Sequence, residues 1–183
     1  SFYGKGAERP VYFCTGRPQG LGKYKNRSTG LASTAGKYAS SYALAASLWA
    51  GKDPRFAALL RHKAAAAYQL GVNKPGVCQT APNVAPYFYE EDNWTDDMEL
   101  AAAELSALGT ADPSNKARAS ADQALHWARS EKVSPWMGAD TARHYQWYPF
   151  INLGHYELAS QLQGKARQEV LDYYREGLEK VYA

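Results

Sequence analysis

Apolar and small residues recur at helical spacing from about residue 33 onward, and no such period precedes it. The first 33 residues are rich in Gly, Lys and Arg, with Pro10 and Pro18. They read as an irregular lead-in in which only PVYFC suggests a short extended segment. Six helices are predicted after it. The first, over 33–50, places Tyr38, Tyr42, Ala46 and Trp49 at helical spacing. Its residues are small and weakly polar all round, which predicts burial on most sides. Gly51 can end it. Asp53 suits an N-cap and Pro54 a first helical turn. The second helix, over 54–70, gathers Phe56, Leu59, Leu60, Ala64 and Ala67 on one face, with Arg55, Arg61, His62 and Lys63 elsewhere.

The same device then repeats. A long loop over 71–93 holds Pro75, Pro82 and Pro86, and an Ala-dense third helix follows over 95–108. Asp112 and Pro113 reproduce the cap and first turn. The fourth helix, over 113–131, carries Ala121, Ala124, Leu125 and Ala128 as its stripe. A second long loop, over 132–148, leads to helices over 149–162 and 165–182, joined by a short turn at Gly164. Inner helix, tight turn, outer helix and long loop thus recur every ~55 residues. Antiparallel pairs put the tight turns at one end and the long loops at the other. The pattern predicts an all-α fold of three helical hairpins, half of an (α/α)6 barrel, in one partial domain (1–33 lead-in, 34–183 helix pairs). A full ring at this period needs roughly 330 residues. A half ring leaves two apolar flanks open, so the rest of a parent catalytic domain is an expected partner.

Composition narrows the chemistry. Of 183 residues, 45% are hydrophobic, which excludes a disordered chain. The net charge of +3, without a basic run, does not suggest nucleic acid. No apolar stretch approaches the roughly 20 residues of a membrane span. The chain opens on Ser1 without a leader pattern and reads as a processed product or a piece of something larger. Cys14 and Cys78 fit no CxxC metal pattern; reduced thiols and a disulfide are both open.

Aromatics reach 13%, with fourteen Tyr and five Trp, and many fall in the two long loops. The first loop ends in YFYEEDNWTDD. The second contains VSPWMGADTARHYQWYPF, with Trp136, Asp140, Arg143, His144, Tyr145, Trp147, Tyr148 and Phe150. Flat rings stack on sugar faces while carboxylates, Arg and His take the hydroxyls, so one end of the fold becomes a ligand-binding candidate. Plainer roles compete. Asp96 and Asp97 suit a helix N-terminus without any ligand. Glu99 reads as a solvated helix face, and Glu90, Glu91 and Asp92 as solubilising loop charge. Tyr87 and Phe88 can anchor the loop, Asp140 can cap a turn, and His144 can be structural. DDMEL lacks the acid at its fifth position that an Asp-rich magnesium motif wants, since Leu100 stands there. No HxxH or HExxH pair supports zinc. No metal or cofactor is implied.

NRSTGLASTAGKYASSYALAASLW, DPRFAALLRHKAAAAYQLG and PYFYEEDNWTDDMELAAAEL together resemble the middle of glycoside hydrolase family 9 catalytic domains. That resemblance covers nearly the whole chain. It implies cellulases and related β-glucanases on an (α/α)6 barrel, acting on β-1,4-glucan by inversion. It also implies an extracellular or periplasmic setting. Asp97 and Met98 stand where the family more often has Glu and Leu. The family's catalytic base lies in an Asp-Ala-Gly-Asp motif, of which this chain has only MGAD at 137–140, in the wrong place. Its acid is a Glu beyond the C-terminal end of this segment, so neither catalytic carboxylate is expected here. Tyr89, Trp94 and Asp96 carry over as substrate-site residues. Loop placement adds His144, Tyr145, Trp147 and Tyr148. Two other readings remain open: a non-catalytic α/α carbohydrate-binding or scaffold module, and another (α/α)6 glycosidase or polysaccharide lyase.

Overall fold

The structure, a computed structural model, describes residues 15–20, 25–79, 93–109, 121–130 and 153–182. Among them are six helices and no strand: α1 (Ala32–Trp49), α2 (Pro54–Asn73), α3 (Thr95–Gly109), α4 (Ala121–Ser130), α5 (Leu153–Gln161) and α6 (Gly164–Tyr182). The expected all-α class and its order of helices are present. The early part of the fourth predicted helix, with Asp112 and Pro113, and the first residues of the fifth lie outside the described residues.

Local chemistry explains the boundaries. The Asp53 carboxylate accepts from the backbone N–H groups of Arg55 at 3.1 Å and Phe56 at 3.0 Å, and Pro54 occupies the first turn of α2. Gly164 opens α6 at φ +59°, a left-handed conformation that glycine adopts without steric cost. α2 continues past the expected end at residue 70. Gly71 is buried inside it, where an added Cβ would meet Met98 Sδ at 2.6 Å. Gly71 therefore admits α3 rather than stopping α2.

The helices form two layers. α3 packs between α1 and α5 in an inner row, while α2, α4 and α6 lie on α1, α3 and α5 respectively. The core is largely alanine, including Ala39, Ala43, Ala101, Ala102, Ala103, Ala124 and Ala128, with Met98, Leu158 and Val170 as its large fully buried members. Such short side chains let helices approach closely. A Cβ on Gly36 of α1 would lie 2.7 Å from the Asp97 backbone, and one on Gly154 of α5 would lie 2.9 Å from Glu99 Cδ. These contacts set the first turns of α1, α3 and α5 side by side at one end of the inner row.

Two expectations about faces are corrected. α1 is not buried on most sides: Ala32, Ala35, Gly36, Ala39, Ala43 and Ala46 are buried, but Tyr38 is 55% and Leu48 65% exposed, with Leu44 and Trp49 also exposed. α1 has partners in α2 and α3, and among the described residues no helix covers its third side. On α2 the buried stripe is Ala57, Leu60, Ala64, Ala65 and Tyr68, whereas Phe56 and Leu59 are exposed. The close α1–α2 contact favours small residues, and Phe56 instead meets Trp49 edge-on at 5.3 Å beside the tight turn.

The described residues of the lead-in before α1, 15–20 and 25–31, lack helix and strand, yet the latter segment is firmly tied; PVYFC lies outside the described residues. Backbone N–H groups of Thr29 and Gly30 donate to Val77 O, and that of Leu31 donates to Lys74 O, at 2.9–3.0 Å. Side chains complete the seam. Asn26 Nδ2 donates to Gln79 O, while Ser28 Oγ accepts from the Gln79 N–H, both at 2.8 Å. Ser33 Oγ accepts from the Cys78 N–H at 2.9 Å. Asn26, Ser28, Ser33 and Gln79 are all buried, so each such bond offsets a desolvation penalty. Gly30 is obligatory here, because a Cβ would fall 1.9 Å from Pro75 O.

Candidate functional site

The end of the inner row that carries the helix N-termini is the candidate site. The N-terminal ends of three helix dipoles, those of α1, α3 and α5, meet there. In the first turn of α3, Asp96 Oδ2 accepts from Asn93 Nδ2 at 3.3 Å and Asp96 Oδ1 accepts from the Asp97 N–H at 2.9 Å. Asp97 turns the other way and pairs with Lys37 of α1 at 2.6 Å. Asp97 therefore joins two inner helices, beyond the simple dipole role expected of it.

Trp94 is half-buried and stands edge-on to Trp127 of α4, with ring centroids 5.4 Å apart. Trp127 Nε1 donates to Tyr68 Oη at 3.0 Å. Tyr68 is buried in α2, and burial pushes its phenol above the ordinary range. A chain of three rings, from α2, α4 and the residue that precedes α3, therefore fixes the plane of Trp94. Half-buried Asp96 lies two residues away.

Glu99 contradicts its expected solvated position. It is fully buried, and its Oε1 lies 2.6 Å from Nδ1 of His155, itself 1% exposed. Burial raises the Glu99 pKa most; the His155 contact opposes this, and the Asp96 charge adds to it. Oε2 of Glu99 has no hydrogen-bond partner among the described residues. His155 was not foreseen, nor were Trp127 and Tyr68. A signal existed. Three and four residues beyond Glu99 stand Ala102 and Ala103, and beyond His155 stand Leu158 and Ala159, so both polar residues open onto apolar faces.

Of the residues proposed from the sequence, the structure places Trp94 just before α3 and Asp96 in its first turn. Tyr89, His144, Tyr145, Trp147 and Tyr148 lie outside the described residues. No group of three or more His, Cys, Asp or Glu suited to a metal occurs among the described residues. Chemically the end offers one oriented indole and one half-buried carboxylate.

The family model for glycosyl hydrolase family 9 matches residues 7–182. The chain belongs to glycosyl hydrolase family 9. Searches of curated proteins and of solved structures find no match. The all-helical, two-layer fold agrees with the (α/α)6 type of this glycosidase family. Membership in a glycoside hydrolase family points to a carbohydrate as the substrate class. No helix among the described residues is long and apolar enough to cross a membrane.

Proposed function

We propose that this chain is the sugar-binding segment of a glycoside hydrolase that cleaves β-1,4-glucan with inversion of anomeric configuration. The observation that carries the reading is the family match joined to the position of Trp94 and Asp96 at the N-terminal end of the inner helices. The indole of Trp94 offers a stacking face for a glucose ring, and Asp96 accepts from its hydroxyls. Tyr89, His144, Tyr145, Trp147 and Tyr148, on the loops that lead into α3 and α5, extend this wall along the glucan.

The general acid and base come from elsewhere in the parent domain. In an inverting enzyme one carboxylate activates water and one carboxylic acid protonates the leaving oxygen, with the two groups roughly 6.5–9.5 Å apart. Glu99 cannot serve as either, being sealed against His155. The exposed apolar side of α1 supports docking of the remaining catalytic domain there, since Tyr38, Leu44 and Leu48 gain by being covered. A polymeric substrate points to an extracellular or periplasmic setting.

The test is a proton NMR time course of the intact protein on a soluble β-1,4-gluco-oligosaccharide. Release of the α-anomer first is expected. Initial release of the β-anomer would overturn inversion. Binding without hydrolysis would instead favour a non-catalytic module.

A further inference from the structure

Glu99 and His155 present a puzzle of physical chemistry. A pair of ionisable side chains at 0% and 1% exposure is a poor stabilising device. The desolvation cost is large, and apolar residues of similar volume often serve stability as well or better. Here the cost is aggravated, because Glu99 Oε2 finds no partner among the described residues. What the pair supplies, and apolar groups cannot, is direction.

Direction is scarce at this seam. α3 contributes Ala101, Ala102 and Ala103 to the core, and the buried residues of α5 are Gly154, His155, Leu158 and Ala159, with Leu158 the one large apolar side chain among them. Such surfaces have few knobs to fix how far one helix slides along the other. Two directional ties bracket the contact. Farther from the N-terminal end, half-buried Gln161 Nε2 donates to Ala103 O at 2.9 Å. At that end the tie is Glu99 to His155, backed by Gly154, whose missing side chain leaves room for the Glu99 carboxyl. The imidazole is also supported from outside. Tyr173 of α6 lies 5.7 Å from it, ring centre to ring centre, and its hydroxyl donates to Glu169 Oε1 at 2.6 Å. Glu169 in turn receives both Nε and Nη2 of Arg129 from α4, at 3.0 and 2.8 Å.

We propose that Glu99 and His155 are positioning residues, whose buried hydrogen bond sets the register of α5 against α3 and thereby the spacing of the two loop roots beside the sugar-binding wall. Asp96 and Trp94 lie one turn or so before Glu99, and the second aromatic loop enters α5 just before His155. A slip of the α5 first turn therefore changes the gap that a sugar chain must span. The substrate part of this inference rests on the function proposed above; the register part does not.

The test uses the intact protein with Glu99→Gln, Glu99→Leu, and the double change Glu99→Leu with His155→Phe, which leaves neither ionisable group of the pair. Three measurements are made: melting temperature, steady-state hydrolysis of a β-1,4-gluco-oligosaccharide, and amide hydrogen exchange across α5. The double variant is expected to melt no lower than wild type, to show a KM raised about tenfold with kcat changed less, and to exchange its α5 amides at least tenfold faster. Glu99→Gln keeps an acceptor for His155 and is expected to stay within about twofold of wild type in KM. Loss of melting temperature with unchanged KM and unchanged local exchange would overturn the positioning role, leaving a purely structural pair. Wild type inactive on β-1,4-glucan would count against the proposed function instead, and the exchange measurement would still decide the register.

Discussion

Glu104 shows how a single half-buried side chain makes this protein sensitive to pH. Desolvation, and then the charge of Glu157 on the neighbouring helix, push its carboxyl up from 4.5 to about 7. The folded form therefore binds a proton more tightly than the unfolded chain does. Below pH 4.5 the group has no effect on stability, and its cost grows as pH rises to about 7 and is complete above that. Glu104→Gln is expected to stabilise the protein at pH 8 by about 1 kcal/mol, solvent screening having reduced the effect. At pH 4 the gain should vanish. Urea unfolding at the two pH values checks this, and an equal effect at both would contradict it. Glu104 and Glu99 illustrate why residue-level reading of the sequence was incomplete. Both are acids in the Ala-rich α3, and the hydrophobic period does not say whether a neighbouring helix covers them. Trp94 and Asp96 could be named because they stand in a family-like motif at a helix start, whereas the contacts behind Trp94 run to Trp127, 33 positions away, and from Trp127 to Tyr68, 59 positions away.

At the scale of elements, the helices depend on missing side chains as much as on present ones. Gly36 lies inside α1, where alanine is intrinsically favoured by about 1 kcal/mol. Its Cβ would nevertheless stand 2.7 Å from the Asp97 backbone, which has no soft end to yield. Gly36→Ala is therefore expected to destabilise the protein by about 2 kcal/mol. Gly51, with nothing within 4 Å of an added Cβ, should accept alanine with little change. Chemical denaturation of both variants tests the contrast; a stabilising Gly36→Ala would refute the close α1–α3 contact. Element order, the Asp53 cap and the ends of α3 followed directly from period and capping residues. The buried faces of α1 and α2 did not, because helices made largely of small residues have weakly contrasted sides. There tertiary approach, rather than side-chain size, decides which side is covered.

At the scale of the molecule, two layers of helices hold the N-termini of the inner row at one end, and the chain belongs to a family of glycoside hydrolases. The repeat in the sequence revealed this architecture because tight turns and long loops leave different compositions. The seam between residues 25–31 and 74–79 stayed hidden, since its bonds are made by Asn, Ser, Thr and Gln side chains that look like ordinary loop polarity. The central claim is that the α3 end binds a β-1,4-glucan chain with Trp94 as a stacking platform. Its most direct test is steady-state hydrolysis of a soluble β-1,4-gluco-oligosaccharide by the intact protein, beside Trp94→Phe and Trp94→Ala. The account predicts a KM raised about tenfold for Ala, equal to ~1.4 kcal/mol of lost binding. Phe should recover much of it, with both variants folded at the assay temperature. An unchanged KM for a folded Trp94→Ala protein would contradict the account.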